Sequence, residues 1–192
     1  MPILDKDEQF RLILHIPEER IPVIIGNKGK TKIKICKMCN VEIAVESKTG
    51  QITIDSTTKN FDENGALKAR DIINAISNGF SPERAFRILD DESLFQVLDL
   101  RNFTTSSNST NRIKGRIIGE KGKARKNIEE LTNTFISIYG HTVSLIGNYE
   151  ETKLALDAIM LLVNGRSHKT AYEMLYQAKR KSKIEKLQLW EK

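Results

Sequence analysis

The sequence predicts an α+β chain in which a β-α-α-β-β-α unit occurs twice in succession. The first observation is a repeat, because IIGNKGK at Ile24–Lys30 recurs as IIGEKGK at Ile117–Lys123. The second is that apolar residues alternate in some stretches and follow the helical period in others, in the same order around each motif. The third is the length of 192 residues, which accommodates two small domains.

Each predicted copy begins with a strand, at Phe10–Ile16 in the first and Leu94–Arg101 in the second. A short helix follows at Glu18–Ile25, where Pro22 is tolerated because it lies in the opening turn. The remaining predicted elements are second helices that begin at Lys30 and Lys123, strands at 41–45 and 51–55 and at 134–139 and 142–146, and an amphipathic third helix in each copy. We expect each copy to be a three-stranded sheet packed on three helices.

Two domains are predicted, each with extra helical structure after the repeated unit. The first, residues 1–90, ends with a short helix at Ser81–Leu89, which has a serine N-cap and proline at its first position. The second, residues 91–192, ends with a basic helix at His168–Leu189. The Ser, Thr and Asn residues of Thr104–Asn111 predict a surface loop before the second copy's first helix.

The composition favours an anionic partner. A net charge of +6, with 39% hydrophobic and 29% charged residues, describes a globular basic protein. The most apolar stretch, Leu154–Val163, contains Asp157 and is too short to cross a bilayer. The acidic residues within Met1–Phe10 argue against a secretory signal, so we expect a cytoplasmic protein with no membrane association.

No metal or other cofactor is expected. Cys36 and Cys39 form a single C-x-x-C, whereas a structural zinc site needs four ligands. His15, His141 and His168 lie far apart in the sequence and do not complete such a set. The alternative interpretation is a buried cysteine and a second one near the end of a helix.

The two G-x-x-G tetrapeptides suggest phosphate binding. Glycine between two helices brings the backbone close to a ligand at a helix N-terminus, where free N–H groups attract anions. Residues 26–37 contain five lysines and no acid, and residues 112–126 contain seven basic residues and only Glu120. These two stretches account for all of the chain's excess positive charge, which is typical of a surface that follows a nucleic-acid backbone. Ile24, Ile25, Ile117 and Ile118 are candidates to line a nucleobase groove against Ile33 or Ile128, although some of them must belong to the core.

A nucleotide-hydrolysing enzyme does not fit this pattern. A P-loop requires a glycine where Ile24 stands, and the second copy has Ala124 where a hydroxyl would bind magnesium. The sequence contains no arguable catalytic triad or carboxylate pair, so we predict that the protein is not an enzyme.

The motif, with the element order around it, resembles the type I KH module that binds single-stranded RNA. RIKGRIIGEKGKARKNIE at Arg112–Glu129 and ISIYGHTV at Ile136–Val143 resemble the ribosome-assembly KH proteins of the Pno1/Dim2 (Krr1-like) family. GFSPERA at Gly79–Ala85 and LDD at Leu89–Asp91 also fit that family. The complete first loop resembles that of archaeal members, because eukaryotic relatives usually have a degenerate first copy.

The resemblance implies an assembly factor that binds near the 3′ end of the small-subunit rRNA through its G-x-x-G loops. It also implies a Nob-type endonuclease and the alpha subunit of translation initiation factor two as partners. The expected RNA-binding residues are Gly26, Asn27, Lys28, Gly29, Lys30, Arg112, Lys114, Arg116, Gly119, Glu120, Lys121, Gly122, Lys123 and Arg125. Two alternatives remain open: a KH-based protein-interaction scaffold and a general RNA-binding regulator.

Overall fold

The computed structural model describes residues 11–47, 49–56 and 63–190. The chain divides into two compact units, Met1–Asp91 and Glu92–Lys192. Each unit contains one three-stranded antiparallel sheet with helices packed on it, in the predicted order β-α-α-β-β-α. The predicted α+β class and the tandem arrangement are therefore confirmed.

The first unit follows the predicted element order closely. Its elements are β1 (Arg11–His15), α1 (Ile21–Ile25), α2 (Lys30–Cys39), β2 (Val41–Glu46), β3 (Gln51–Ser56), α3 (Glu63–Ser77) and α4 (Pro82–Ala85). Short 3-10 turns at Glu18–Arg20, Asn27–Gly29 and Phe86–Leu89 connect or extend the helices. The sheet order is β1-β3-β2, with Ile13 opposite Thr53 and Ala44 also opposite Thr53. Phe10, the predicted first residue of β1, lies outside the described residues.

The second unit repeats this architecture and adds a long final helix. Its elements are β4 (Leu94–Asp99), α5 (Ser107–Ile118), α6 (Lys123–Thr132), β5 (Phe135–Tyr139), β6 (Thr142–Gly147), α7 (Tyr149–Val163) and α8 (His168–Trp190). The sheet order is β4-β6-β5, the counterpart of the first sheet. Ala171 and Leu175 of α8 are buried in the core of this unit, which confirms that the apolar face of the predicted C-terminal helix docks.

The helices position the G-x-x-G loops because their inner faces form the core of each unit. In the first unit, Ile24 before the loop and Ile35 after it are fully buried, together with Ile72 of α3. In the second unit, Ile117 and Ile128 occupy the equivalent places. Burial of one such side chain contributes roughly 1.5–3 kcal/mol, so the helices on both sides of each loop are held firmly.

The structure corrects two predicted boundaries in the second unit. Strand β4 ends at Asp99 rather than Arg101, because the Asp99 side chain accepts a hydrogen bond from the Arg101 backbone N–H at 2.9 Å and begins a 3-10 turn at Leu100–Phe103. The loop predicted at Thr104–Asn111 is wrong beyond Ser106. Helix α5 begins at Ser107, because Ser106 and Ser109 form a reciprocal capping box. Serine and threonine favour caps as well as loops, and composition alone does not separate the two.

The described helices include none that is both long enough and apolar enough to span a membrane.

Candidate nucleic-acid interface

The two G-x-x-G loops have nearly the same backbone conformation. Gly26 lies at φ 72° and ψ 174°, and Gly119 lies at φ 70° and ψ 178°. The lysines at the third position also have positive φ, 52° at Lys28 and 50° at Lys121. Because a non-glycine residue rarely adopts this conformation, its occurrence in both copies shows that the surrounding helices impose the loop shape.

The two glycines of each loop are required for different reasons. A Cβ added to Gly119 would lie 2.8 Å from the backbone nitrogen of Ala124, and one added to Gly26 would lie 2.9 Å from that of Thr31. The first glycine therefore permits close packing against the next helix. By contrast, no heavy atom of the described residues would lie within 4 Å of a Cβ on Gly122, so this glycine borders open space that a ligand can enter. A Cβ on Gly29 would lie 3.7 Å from the Ile33 Cδ1, an ordinary contact.

The helix that follows each loop presents an uncapped N-terminus. Among the described residues, no side chain caps α2 at Gly29 or α6 at Gly122. The first-turn N–H groups of a helix lack intrahelical partners, and the helix dipole adds a partial positive charge there. The arrangement is suited to a phosphate or another anion.

The expected RNA-binding side chains lie on the two loops and on the helices beside them. The exposed members are Asn27, Lys28, Lys30, Arg112, Glu120, Lys121 and Lys123, whereas Lys114, Arg116 and Arg125 are half-buried. The Arg125 Nε lies 3.9 Å from the Glu129 carboxylate, a weak ion pair that orients the guanidinium along α6. The structure thus brings the predicted residues of each copy together on one loop and the two helices beside it.

Arg116 also connects the second loop to the end of α7. Its Nη2 donates a hydrogen bond to the Arg166 carbonyl in the turn between α7 and α8. In the first unit the Arg20 Nη2 donates to the Phe80 carbonyl at 2.9 Å and to the Ile76 carbonyl at 2.6 Å. Arg20 and Arg116 are not equivalent positions of the repeat. Each nevertheless donates a hydrogen bond from the segment before the loop to a backbone carbonyl at or just after the end of the third helix.

A second contact at this place is formed by His168 of α8. Its Nε2 lies 2.8 Å from the carbonyl oxygen of Arg116, in the last turn of α5. Because a carbonyl oxygen only accepts, the His168 Nε2 carries the proton and donates. The imidazole thus satisfies a carbonyl at the helix end that leads directly into Gly119. Pro82 stands at the corresponding place after the third helix of the first unit, and its side chain cannot donate a hydrogen bond.

The proposed isoleucine groove is only partly as predicted. Ile24, Ile117 and Ile128 are fully buried core residues, because their helices turn these positions toward the interior of each unit. Ile33 is 62% exposed, on the outer side of α2. Ile25 lines an open cavity of about 480 Å³ beside the first loop, where a ligand can reach it. Ile118, its counterpart in the second unit, is half-buried.

The cysteine pair does not form a metal site with other described residues. Cys39 is buried and Cys36 is half-buried, and neither forms a disulfide. Burial raises the pKa of the Cys36 thiol above its ordinary value, which disfavours the thiolate that binds metals or attacks substrates. Within the described ranges, no three His, Cys, Asp or Glu side chains are grouped so as to hold a metal ion.

The sequence did not indicate a role for Arg20 or His168, whose side chains bond to backbone carbonyls near the loops. It did not indicate Glu18 either, which lines the cavity beside the first loop together with Ile25. Residues 78–81 and 164–167 share an Asn-Gly-x-Ser pattern, which marks the end of the third helix in both copies. That repeat could have indicated that the turn after the third helix is structurally important. It could not have shown which side chains contact the turn.

Comparison with known proteins agrees with this architecture. A model of the first KH domain of Krr1 matches residues 14–91, and a Pno1 second-domain model, described as a eukaryotic-type KH domain of type I, matches residues 94–180. The KH domain-containing protein MJ0443 of Methanocaldococcus jannaschii is 40% identical over 180 residues, which cover 94% of this chain and 79% of that protein. The chain belongs to the Pno1/Dim2 family of KH-domain proteins.

Other members of the Pno1/Dim2 family match over similar lengths. The RNA-binding protein pno1 of Dictyostelium discoideum is 30% identical over 175 residues, covering 88% of this chain and 72% of the relative. The crystal structure of Dim2p from Pyrococcus horikoshii superposes with a TM-score of 0.82 at 40% identity, covering 88% of this chain and 99% of that one. Dim2p in a complex with a/eIF2alpha and rRNA from the same organism gives a TM-score of 0.85 at 39% identity, over 91% of this chain and 96% of the other.

Proposed function

We propose that the protein is a non-enzymatic, cytoplasmic assembly factor that binds single-stranded rRNA near the 3′ end of the small ribosomal subunit. Each loop holds the RNA backbone at the start of α2 or α6, and the bases lie against the helix before the loop. The open space at Gly122, beside an uncapped helix N-terminus and a cluster of lysines, is the observation that carries the proposal. The relative that was crystallised with rRNA supports it.

The decisive measurement is fluorescence anisotropy of the full chain with a labelled oligonucleotide that matches the 3′ end of its own small-subunit rRNA. A scrambled strand of equal length serves as the RNA control. Selective binding to the matching strand is the expected result. Equal weak binding to both strands would contradict an rRNA-directed function.

Gly122→Asp tests whether the loop itself holds the RNA. The new carboxylate would point into the open space, where its repulsion of a phosphate at about 4 Å costs roughly 1–4 kcal/mol, depending on exposure to water. We therefore expect the affinity to fall at least about fivefold.

Gly122→Asn is the matched control for this substitution. It has nearly the same shape and the same tolerance for the positive φ of 79°, but no charge. If both variants bind RNA as tightly as the wild type, the phosphate does not sit at this loop. If Asn weakens binding as much as Asp, the open space matters but the charge does not.

A second candidate function is a docking scaffold for proteins, favoured by the relative that was crystallised with a/eIF2alpha. In this proposal the alpha subunit of initiation factor two and a Nob-type endonuclease are partners of the chain. Pull-down with the purified candidates, using wild type and Gly122→Asp, separates the two functions. Retention of a partner after loss of RNA binding would show direct protein docking, whereas loss of both would show that RNA bridges them.

General transcript binding makes a different prediction. RNA crosslinked to the protein in cells and then sequenced should be mostly small-subunit rRNA if the protein is an assembly factor. A broad distribution over messenger RNAs would support a regulator instead.

A further inference from the structure

The cavity beside the first loop combines an apolar floor with a single carboxylate. It is lined by Glu18, Ile21, Pro22, Ile25, Gly26 and Ser47. The first four follow the i, i+3, i+4, i+7 spacing, so they form one stripe along the 3-10 turn and helix α1. The stripe runs from Glu18 at one end to Gly26 of the loop at the other, and Ser47 contributes from the connection after β2.

Glu18 is unexpected at this position. Five lysines and no acid occupy the adjoining stretch of residues 26–37, where an RNA backbone would lie. A carboxylate beside bound RNA repels phosphates and weakens binding unless it makes a favourable contact of its own. Within the described part of the chain, no hydrogen bond or ion pair engages the Glu18 side chain.

The backbone that carries Glu18 is well anchored. Arg20, in the same 3-10 turn, donates hydrogen bonds to the carbonyls of Ile76 and Phe80 at 2.6 and 2.9 Å. Ile21, the next residue, is only 3% exposed. The exposed Glu18 side chain is therefore attached to a fixed backbone at the end of the apolar stripe, within reach of a base in the cavity.

We propose that Glu18 selects the base that occupies this cavity by accepting a hydrogen bond from its exocyclic amino group. This inference rests on the proposed RNA-binding function and adds a base preference to it. Cytosine presents the N4 amino donor at the position where uracil presents the O4 acceptor. An ionised carboxylate can only accept, so it attracts the cytosine edge and repels the uracil edge.

The second copy lacks this carboxylate. The residues at the corresponding places of α5 are Asn111, Lys114, Gly115 and Ile118. An asparagine amide both donates and accepts, so it does not discriminate between the two pyrimidines as a carboxylate does. The two copies therefore differ in base preference, and the first copy is the one that distinguishes cytosine from uracil.

The test uses the full chain carrying Gly122→Asp, which weakens the second copy, so that binding reports mainly the first copy. Anisotropy is measured with short labelled oligo(rC) and oligo(rU), which present the same pyrimidine in every register. We expect oligo(rC) to bind about tenfold more tightly, the discrimination typical of one charge-assisted base contact. Glu18→Gln should reduce this ratio to near one, because its amide can also donate to uracil O4.

Glu19→Gln is the matched control, since it removes the same charge from the neighbouring residue, which does not line the cavity. It should leave the rC to rU ratio unchanged. A wild-type ratio near one, or an unchanged ratio in Glu18→Gln, overturns the assignment.

Adding Gly29→Asp to the same background distinguishes failure of this inference from failure of the proposed function. If Gly29→Asp abolishes binding to both oligonucleotides while the ratio is near one, the first copy binds RNA without selection by Glu18. If Gly29→Asp changes neither affinity, the first copy does not hold RNA, and the proposed function fails for that copy together with this inference.

Discussion

His168→Phe removes the donor that holds the end of helix α5. The phenyl ring fills nearly the same space as the imidazole but cannot donate to the Arg116 carbonyl, which now receives a hydrogen bond from the His168 Nε2 at 2.8 Å. That carbonyl lies three residues before Gly119, in the last turn of α5. The substitution therefore tests whether α8 positions the second loop.

The expected loss of stability follows from the partly buried position of this bond. One hydrogen bond contributes about 1 kcal/mol net to the free energy of unfolding. For a domain of about 100 residues this corresponds to a decrease in Tm of roughly 5 °C. If the same free energy also keeps the loop in its RNA-binding conformation, loss of the hydrogen bond lowers the fraction of molecules with the loop in that conformation by about fivefold at most. The RNA dissociation constant then rises by no more than that factor.

The assay combines thermal unfolding with anisotropy measured on a matching rRNA oligonucleotide. His168→Gln is the rescue variant, because its amide nitrogen reaches about as far as the imidazole Nε2 and donates to a carbonyl. We expect His168→Phe to have a lower Tm and a lower RNA affinity than the wild type. In His168→Gln both quantities should return most of the way to the wild-type values. The temperature is kept well below either Tm, so that unfolding does not contribute to the change in affinity.

A lower Tm with unchanged RNA affinity would refute the reasoning, because the hydrogen bond would then stabilise α8 without positioning the loop. The same conclusion follows if Phe and Gln weaken RNA binding equally. In that case the shape of the imidazole, not its donated hydrogen bond, would account for the effect.

Two further predictions concern the second unit. Gly119→Ala should destabilise the fold by at least about 2 kcal/mol, because its Cβ would lie 2.8 Å from the Ala124 nitrogen and the residue has a φ of 70°. Gly122→Ala, which has no such contact among the described residues, should destabilise it less. Equal urea midpoints of unfolding for the two variants would contradict the packing argument. Hydrogen bonds from Arg101 lower the pKa of Asp99 from its ordinary 3.8 to about 2, so the carboxylate stabilises the folded state fully above pH 3.8 and loses this effect as the pH falls through 2. Asp99→Asn should therefore lower Tm much more at pH 6 than at pH 2, where about half of the Asp99 carboxyls are protonated in the folded state. An equal decrease at both pH values would count against the Arg101 contact.

Much of the fold could be predicted from the sequence because the determinants are local. The spacing of apolar residues sets the helices and strands, and the repeated motif shows that the pattern occurs twice. The prediction failed at Thr104–Asn111, where Ser106 caps a helix that extends α5 toward the N-terminus. Whether a serine-rich stretch forms a loop or a helix start depends on the residue three positions later and on what the helix packs against.

The candidate site was predictable to a smaller extent. The glycines and lysines of both loops could be proposed as ligand-binding residues from the sequence, because glycine at a helix start and clustered positive charge have direct physical meanings. The sequence could not show which isoleucines belong to the core and which face a ligand, since Ile24 and Ile25 are neighbours with identical side chains. Only the orientation of α1 against α2 and α3 makes Ile24 a core residue and leaves Ile25 beside the cavity.

The sequence by itself determined the number of units, their order and the place of each loop, because backbone sterics and side-chain periodicity act over a few neighbouring residues. The tertiary structure decided which groups hold those loops. Arg116 and His168 are 52 residues apart in the chain and meet only after α7 and α8 have packed on α5. Arg20 and Phe80 likewise meet across 60 residues. Contacts at such separations depend on the combined geometry of several elements, which no local pattern encodes.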